Sequence, residues 1–288
     1  MAGVDPVNPR NTILPAAGRA HNLILRVGSA LVMAPLALGA AYYGGLIFLA
    51  FWTIAALVVL WEWVAMVCAH DKTPVFAISS IAIVGTSLLW AFDRPVPALI
   101  LISLGALGVA TLASRIRRTW CVGGLLYVGG LLLAPVALRA DPTFGFFAIL
   151  FLFAVVWSTD TGAYVAGRGL GGPKLMPRIS PNKTWTGAVG GLLAGVCGGI
   201  AVAKFAGVDN LMAIGLVALV LSMVSQAGDL GESAIKRQFN VKDASWIIPG
   251  HGGLMDRLDG FVVASVVAVL IGLARGGDAS PSRGLLSW

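Results

Sequence analysis

This 288-residue sequence has little charge, since Asp, Glu, Lys and Arg make up 11% of it and hydrophobic residues 58%. Soluble domains carry about 25% charged residues, so this chain cannot cover a water-exposed surface in the usual way. Cysteine is scarce as well, with three residues and no CxxC pair, which argues against a disulfide framework or a cysteine metal site. Heptads and a strict glycine repeat are also lacking, which excludes coiled coils and collagen. The sequence therefore predicts an all-α, polytopic integral membrane protein.

The apolar segments are long enough for a helix to cross a bilayer, which takes about 20 residues. We predict nine spans, at residues 24–42, 44–68, 75–92, 96–113, 120–138, 143–165, 186–206, 209–229 and 259–275. We expect an N-terminal membrane region, 1–115, and a catalytic membrane region, 116–288. Glycines in the seventh span suit close helix packing in lipid; they are Gly191, Gly195, Gly198 and Gly199.

The distribution of basic residues predicts the orientation. With the N-terminus inside, fifteen of the twenty Lys and Arg residues lie on the inner side of the nine spans. The positive-inside rule then places the N-terminus in the cytoplasm and the C-terminus outside, with the protein in the cytoplasmic (inner) membrane. The net charge of +7 is spread over short loops, which indicates contact with anionic lipid headgroups and not with nucleic acid.

Two inner loops, 159–186 and 229–259, hold most of the acidic residues that could carry chemistry. Asp229 and Glu232, like Asp256 and Asp259, are spaced i, i+3, so each pair faces one side of a helix. Gathering carboxylates at a membrane edge is unfavourable unless a cation compensates them, and oxygen ligands favour Mg²⁺. The alternative is that they form helix-end salt bridges with nearby Lys and Arg. The full set is Asp160, Asp229, Glu232, Asp243, Asp256 and Asp259.

Basic side chains suited to phosphate are interleaved with these acids. They are Lys183, Lys236, Arg237, Lys242 and Arg257. The glycine-rich run 249–253 adds backbone N–H groups that can approach an anion. Within it, His251 is expected either to contact phosphate or move a proton, or to be a hydrogen-bonded structural residue. Together these features are typical of phosphoryl or nucleotidyl transfer, but not of a P-loop, because Asn182 precedes Lys183 where a glycine would be required.

Glu62 lies inside the apolar run of the second predicted span, between Trp61 and Trp63. A carboxylate within a membrane span is a functional-site hypothesis by default. The alternative is that it pairs with a neighbouring helix.

The 27 residues from Ser233 to Asp259 resemble, without insertion, the signature of the phosphatidate cytidylyltransferases, or CDP-diacylglycerol synthases. Further segments resemble other motifs of that family: 158–164 (STDTGAY), 180–184 (SPNKT) and 225–229 (SQAGD). The resemblance covers roughly the second half of the chain. One departure is Thr186, which stands where the family commonly has Glu, so an acidic role there is in doubt and would shift to Asp160 or Glu232.

The resemblance implies a membrane enzyme that converts CTP and phosphatidate into CDP-diacylglycerol and pyrophosphate at the cytoplasmic face. It also implies dependence on Mg²⁺ with a second cation near the first, and a homodimer. By the same resemblance, the metal ligands would be Asp229 and Asp256, followed by Asp259 and Asp243. Asp256, Lys183, Lys236 and Arg257 are expected to be catalytic. The expected substrate-binding residues are Asp160, Ser180, Thr184, Ser233, Arg237, Lys242, His251 and Gly252.

Two other functions can be weighed against this one. A CDP-alcohol phosphotransferase would need a DxxDG motif and a later GxxxDxxxD; only the first part is present, at 256–260. An ion-coupled transporter would place ionisable residues near the middle of the membrane and often has inverted repeats. Here the charges gather at one face and no repeat is evident.

Overall fold

The computed structural model describes residues 16–68, 71–248, 252–276 and 280–288. These residues form ten α-helices and one two-stranded sheet. The elements in chain order are α1 (Ala16–Tyr43), α2 (Gly45–Val67), α3 (Lys72–Ala91), α4 (Pro95–Leu112), α5 (Arg118–Arg139), α6 (Gly145–Leu170), β1 (Lys174–Met176), β2 (Ser180–Thr184), α7 (Trp185–Phe205), α8 (Leu211–Gln238), α9 (Met255–Gly276) and α10 (Pro281–Leu286).

Eight of the described helices, α2 to α9, are long and apolar enough to cross a membrane. This confirms the predicted class, an all-α polytopic membrane protein. The first predicted span, 24–42, falls on α1, whose apolar stretch within the described part of the chain is the shorter Leu31–Tyr43. The count of nine, and the orientation that depends on an odd number, stay predictions.

Both inner loops contain more regular structure than expected. Helix α6 continues to Leu170 and α8 to Gln238, beyond the predicted ends at 165 and 229. Between α6 and α7, β1 and β2 form an antiparallel hairpin that pairs Lys174 with Thr184. The three prolines at 173, 177 and 181 argue against strands, but a two-stranded hairpin leaves one edge of each strand without ladder hydrogen bonds and so accommodates them.

Helix α7 packs closely against α6 and α8 because it buries a glycine at every fourth position, from Gly187 through Gly191 and Gly195 to Gly199. A methyl group at Gly191 would lie 2.9 Å from the Thr159 carbonyl oxygen. Small residues of this kind let helix backbones approach in lipid, where apolar burial alone does not drive association. The expected packing role of these glycines is thereby confirmed.

The connectivity brings four helix ends to one edge of the bundle. Helices α6 to α9 follow one another as packed neighbours, α6 with α7, α7 with α8 and α8 with α9. The C-terminal ends of α6 and α8 therefore lie beside the N-terminal ends of α7 and α9. The N-terminal half of the chain packs onto this group, since the Trp52 ring of α2 stacks on Phe261 of α9 with centroids 5.0 Å apart. The division at residues 115 and 116 stays a prediction.

At the opposite end of the bundle, Asp141 holds the turn that precedes α6. Its carboxylate accepts hydrogen bonds from the backbone amides of Thr143 and Phe144, both at 2.8 Å, and from the Ser280 hydroxyl at 2.6 Å. Burial on its own would raise the pKa of Asp141, but these hydrogen bonds outweigh it and hold the pKa below its usual range. The carboxylate is therefore ionised and joins α6 to the segment that precedes α10.

We expect the substitution Gly162→Ala to destabilise the contact between α6 and α7. The new methyl group would lie 2.8 Å from the Gly190 carbonyl oxygen and closer still to the Ala194 side chain. Overpacking of this kind costs about 1–3 kcal/mol, so the thermal midpoint in detergent should fall. Gly169→Ala is the matched control, because Gly169 lies in the same helix and faces open space. Equal midpoints for the two variants would contradict this packing.

Candidate active site

Three carboxylates converge where α8 and α9 meet. Asp229 and Glu232 come from one face of α8 and Asp259 from α9, and one oxygen of each lies within 4.8 Å of the others. Neither oxygen of the buried Glu232 receives a well-directed hydrogen bond from a described residue. Carboxylates this close together, one of them buried and two partly exposed, are unfavourable without a compensating cation. The three residues, which we call the acidic triad, therefore offer an oxygen-donor set that suits a hard divalent cation.

Lys236 links the acidic triad to the start of α9. Its ammonium lies 2.7 Å from Glu232 Oε2 and 2.5 Å from Asp256 Oδ1. The other oxygen of Asp256 accepts hydrogen bonds from the backbone amides of Gly253 at 2.8 Å and Ala244 at 3.0 Å. Both oxygens of Asp256 are thus engaged by protein donors. Of the four predicted metal ligands, Asp229 and Asp259 belong to the triad, while Asp256 and Asp243 lie outside it among the described residues.

The hairpin carries a second lysine to the acidic triad. Lys183 lies in β2, and its ammonium is 2.5 Å from Asp229 Oδ2. The next residue, Thr184, accepts a hydrogen bond from the Gly187 amide at 3.1 Å and so caps the start of α7. Because an ammonium group has three donors, Lys183 retains others for a phosphate oxygen.

Thr186, the departure from the family pattern, has a structural contact. Its hydroxyl donates to the Gly171 carbonyl oxygen, just after the end of α6, and lies 3.0 Å from the Thr184 hydroxyl. The residue therefore ties the end of α6 to the start of α7, and the acidic groups come from other positions.

Arg237 connects α8 to the turn of the hairpin. Its guanidinium donates to the carbonyl oxygens of Ile179 at 3.4 Å and Val241 at 3.0 Å. Asp160 on α6 interacts electrostatically with Asp229, Lys183 and Arg257. These contacts bring residues from both predicted loops to one place.

The other predicted residues lie around the same edge. Ser180 pairs with Met176 in the hairpin, Ser233 is half-buried on α8, and Lys242 and Arg257 are exposed. Gly252 has a φ of +82°, and a methyl group there would lie 2.9 Å from Asp256 Oδ2, so this position requires glycine. His251 lies outside the described residues. The roles of all these side chains stay predictions.

The sequence gives no signal for Tyr127, which the structure places near the acids. It lies on α5, its hydroxyl is buried without a hydrogen-bond partner among the described residues, and its strongest charged neighbours are Asp259 and Glu232. A phenol in this position can donate a hydrogen bond to a water or phosphate oxygen. Its segment reads only as a glycine-rich apolar span, so the sequence alone could not single it out.

Comparison with known proteins points to the same family that the sequence motifs resemble. The profile described as the cytidylyltransferase family matches residues 24–274. A phosphatidate cytidylyltransferase of Brucella suis biovar 1 is 42% identical over 254 residues, which cover 87% of this chain and 93% of the relative. One of Staphylococcus saprophyticus is 38% identical over 231 residues, covering 76% of this chain and 87% of the relative.

We expect Mg²⁺ to stabilise the protein through the acidic triad. A ligand at about 100 times its Kd adds about 2.7 kcal/mol, so the thermal midpoint should rise as MgCl₂ is added. Asp259→Asn removes one triad charge without breaking an ion pair between described residues. Its midpoint in EDTA should therefore match or exceed that of the wild type, while the rise with Mg²⁺ shrinks.

The control is Asp209→Asn, which removes the same charge from an exposed position at the other end of α8. It should respond to Mg²⁺ like the wild type. An undiminished Mg²⁺ response in Asp259→Asn would contradict a cation site at the triad.

Proposed function

This chain belongs to the cytidylyltransferase family, and on that premise we propose that it transfers the cytidylyl group of CTP to phosphatidate. The products would be CDP-diacylglycerol and pyrophosphate, as the names of its relatives indicate for those proteins. The observation that carries the proposal is the acidic triad flanked by Lys183 and Lys236 at the edge of an apolar helix bundle. Such a site can hold a charged nucleotide in water and a lipid phosphate at the bilayer surface.

The chemistry needs little from a general base. A phosphatidate phosphate oxygen, already ionised near neutral pH, attacks the α-phosphorus of CTP, forming one P–O bond while the bond to the β-phosphate oxygen breaks and pyrophosphate leaves. Charge neutralisation and positioning then supply most of the catalysis. Asp229, Glu232 and Asp259 would hold Mg²⁺, which when bound supplies positive charge for the phosphate oxygens.

The basic residues would bind and attract the phosphate groups of the substrates. Lys183 and Lys236 each contact a carboxylate of the site and keep further N–H donors for phosphate oxygens. Arg237, Lys242 and Arg257 are exposed around the same edge, where they can attract the triphosphate. Asp256 acts in this scheme by holding Lys236 in place.

We further infer the membrane location, orientation and assembly of the enzyme. The excess of Lys and Arg around the two inner loops supports a cytoplasmic-face site in the inner membrane, with the N-terminus inside and the C-terminus outside. The resemblance to the family supports a homodimer and a second cation.

The test of the proposal is a reaction in detergent micelles with α-labelled CTP, phosphatidate and Mg²⁺. Label should enter the lipid fraction while pyrophosphate is released. Asp256→Asn should lower kcat by about 100-fold or more, equal to about 2.7 kcal/mol, because Lys236 keeps only Glu232 as a charged partner and is no longer held toward α9. Failure of the wild-type protein to label lipid would overturn the proposed function. Near-normal kcat in Asp256→Asn would remove only the role of that residue.

Arg237→Ala should separate binding from chemistry. Its guanidinium is exposed and holds the hairpin turn, so its loss should raise the KM for CTP several-fold, by roughly 1 kcal/mol of binding, with kcat nearly unchanged. Arg178→Ala is the matched control, since this residue is an exposed arginine in the same hairpin turn. Equal KM values for the two variants would show that only local charge matters.

A further inference from the structure

Glu62 is a fully buried carboxylate in the N-terminal half of the chain, on α2. No Lys or Arg pairs with it in the part of the chain that the structure describes. An ionisable group inside a membrane bundle is unfavourable unless other donors satisfy it. Its partners therefore indicate what it does.

Among the described residues, three groups donate hydrogen bonds to Glu62, and all three come from the segment that connects α8 to the first residue of α9. The Ser245 hydroxyl donates to Oε1 at 2.5 Å, the Leu254 amide to Oε1 at 2.8 Å and the Met255 amide to Oε2 at 2.6 Å. We call these three donors the α9 junction. Amides at the start of a helix have no partner within the helix, and a carboxylate there is also favoured by the helix dipole.

Gly252 and Gly253, just before α9, lie close to two carboxylates. A methyl group at Gly253 would lie 2.6 Å from Glu62 Oε1, while one at Gly252 would lie 2.9 Å from Asp256 Oδ2. Glycine at 253 thus lets Glu62 approach the backbone, and glycine at 252 does the same for Asp256. The two carboxylates hold opposite sides of one short segment.

Glu62 and Asp256 also accept hydrogen bonds from different backbone amides of this turn. Asp256 accepts from Gly253, and Glu62 accepts from the next two residues, Leu254 and Met255. Asp256 follows Met255 directly, so the orientation of its carboxylate toward Lys236 depends on where this turn is held. A change at Glu62 would be transmitted to the Asp256–Lys236 ion pair through one turn of backbone.

We propose that Glu62 is a positioning residue of the active site, which holds the α9 junction and thereby orients Asp256 toward Lys236. The role in turnover rests on the proposed function. It gives α2 a role in positioning the active site, although α2 lies outside both the signature segment and the acidic triad.

The test is the isosteric substitution Glu62→Gln in the full-length protein. The carboxamide nitrogen cannot accept a hydrogen bond, so the Leu254 and Met255 amides cannot both keep their bonds. Hydrogen–deuterium exchange should accelerate at one or both of these amides. In the labelled-CTP assay, kcat should fall by about 10- to 100-fold, the size usual for residues that orient a site. The KM for CTP should stay within about threefold, because the phosphate-binding side chains remain.

Asp141→Asn is the matched control. Asp141 is also a buried carboxylate that accepts from two backbone amides, in the turn just before a helix, and from a serine hydroxyl, but it lies at the opposite end of the bundle. It should lower the thermal midpoint at least as much as Glu62→Gln while kcat stays near the wild-type value. A comparable fall of kcat in both variants would show a general stability effect and overturn the proposal.

Three further outcomes are decisive. Unchanged exchange at Leu254 and Met255 in Glu62→Gln, or faster exchange with normal kcat, would each overturn the positioning role. A wild-type protein that does not turn over overturns the proposed function, and the exchange measurement then still decides whether Glu62 holds the junction.

Discussion

The ion pair between Lys236 and Asp256, with Nζ and Oδ1 2.5 Å apart, joins α8 to α9 at the edge of the bundle. The same ammonium also pairs with Glu232, and Lys183 pairs with Asp229. Asp259 is the remaining carboxylate of the acidic triad, so two ammonium groups lie among four carboxylates. With all four carboxylates ionised, the site would carry two more negative charges than positive ones, an excess that one divalent cation would balance. Charge without such balance is costly in a partly buried site, which is why this group of carboxylates suits a divalent cation.

The backbone packing explains why these charges meet at all. Glycines along α7 let α6 and α8 approach it, and the alternating chain direction then brings the acidic end of α8 beside the start of α9. A larger side chain at Gly195 would meet the Ser222 hydroxyl at 2.8 Å and move α8 away from α7. The composition of an apolar helix thus sets the distance between carboxylates that lie several turns away from it.

Much of this could be predicted from the sequence, because membrane spans and i, i+3 acidic pairs are local patterns. The i, i+3 pattern singles out Asp229, Glu232, Asp256 and Asp259 alike, and the motif that ends at Asp259 indicates the cytidylyltransferase family. Contacts between distant segments leave no local pattern, which is why Tyr127 and the α9 junction required the structure. The grouping of Glu232 with Asp229 and Asp259, and the separation of Asp256 from them, depend on where α8 ends and α9 begins.

Asp141 and Glu62 both accept backbone amides near the beginning of a helix, but they differ in how they act. Asp141 accepts from the turn that leads directly from it into α6, so its effect is confined to one end of the molecule. Glu62 serves α9 from a helix nearly two hundred residues earlier in the chain. Without α2, the Leu254 and Met255 amides would face an apolar interior with no acceptor, at a cost of about 1–3 kcal/mol each. If Glu62 positions the α9 junction as proposed, the signature segment depends on the N-terminal helices for its geometry, and the first half of the chain belongs to the framework of the candidate active site.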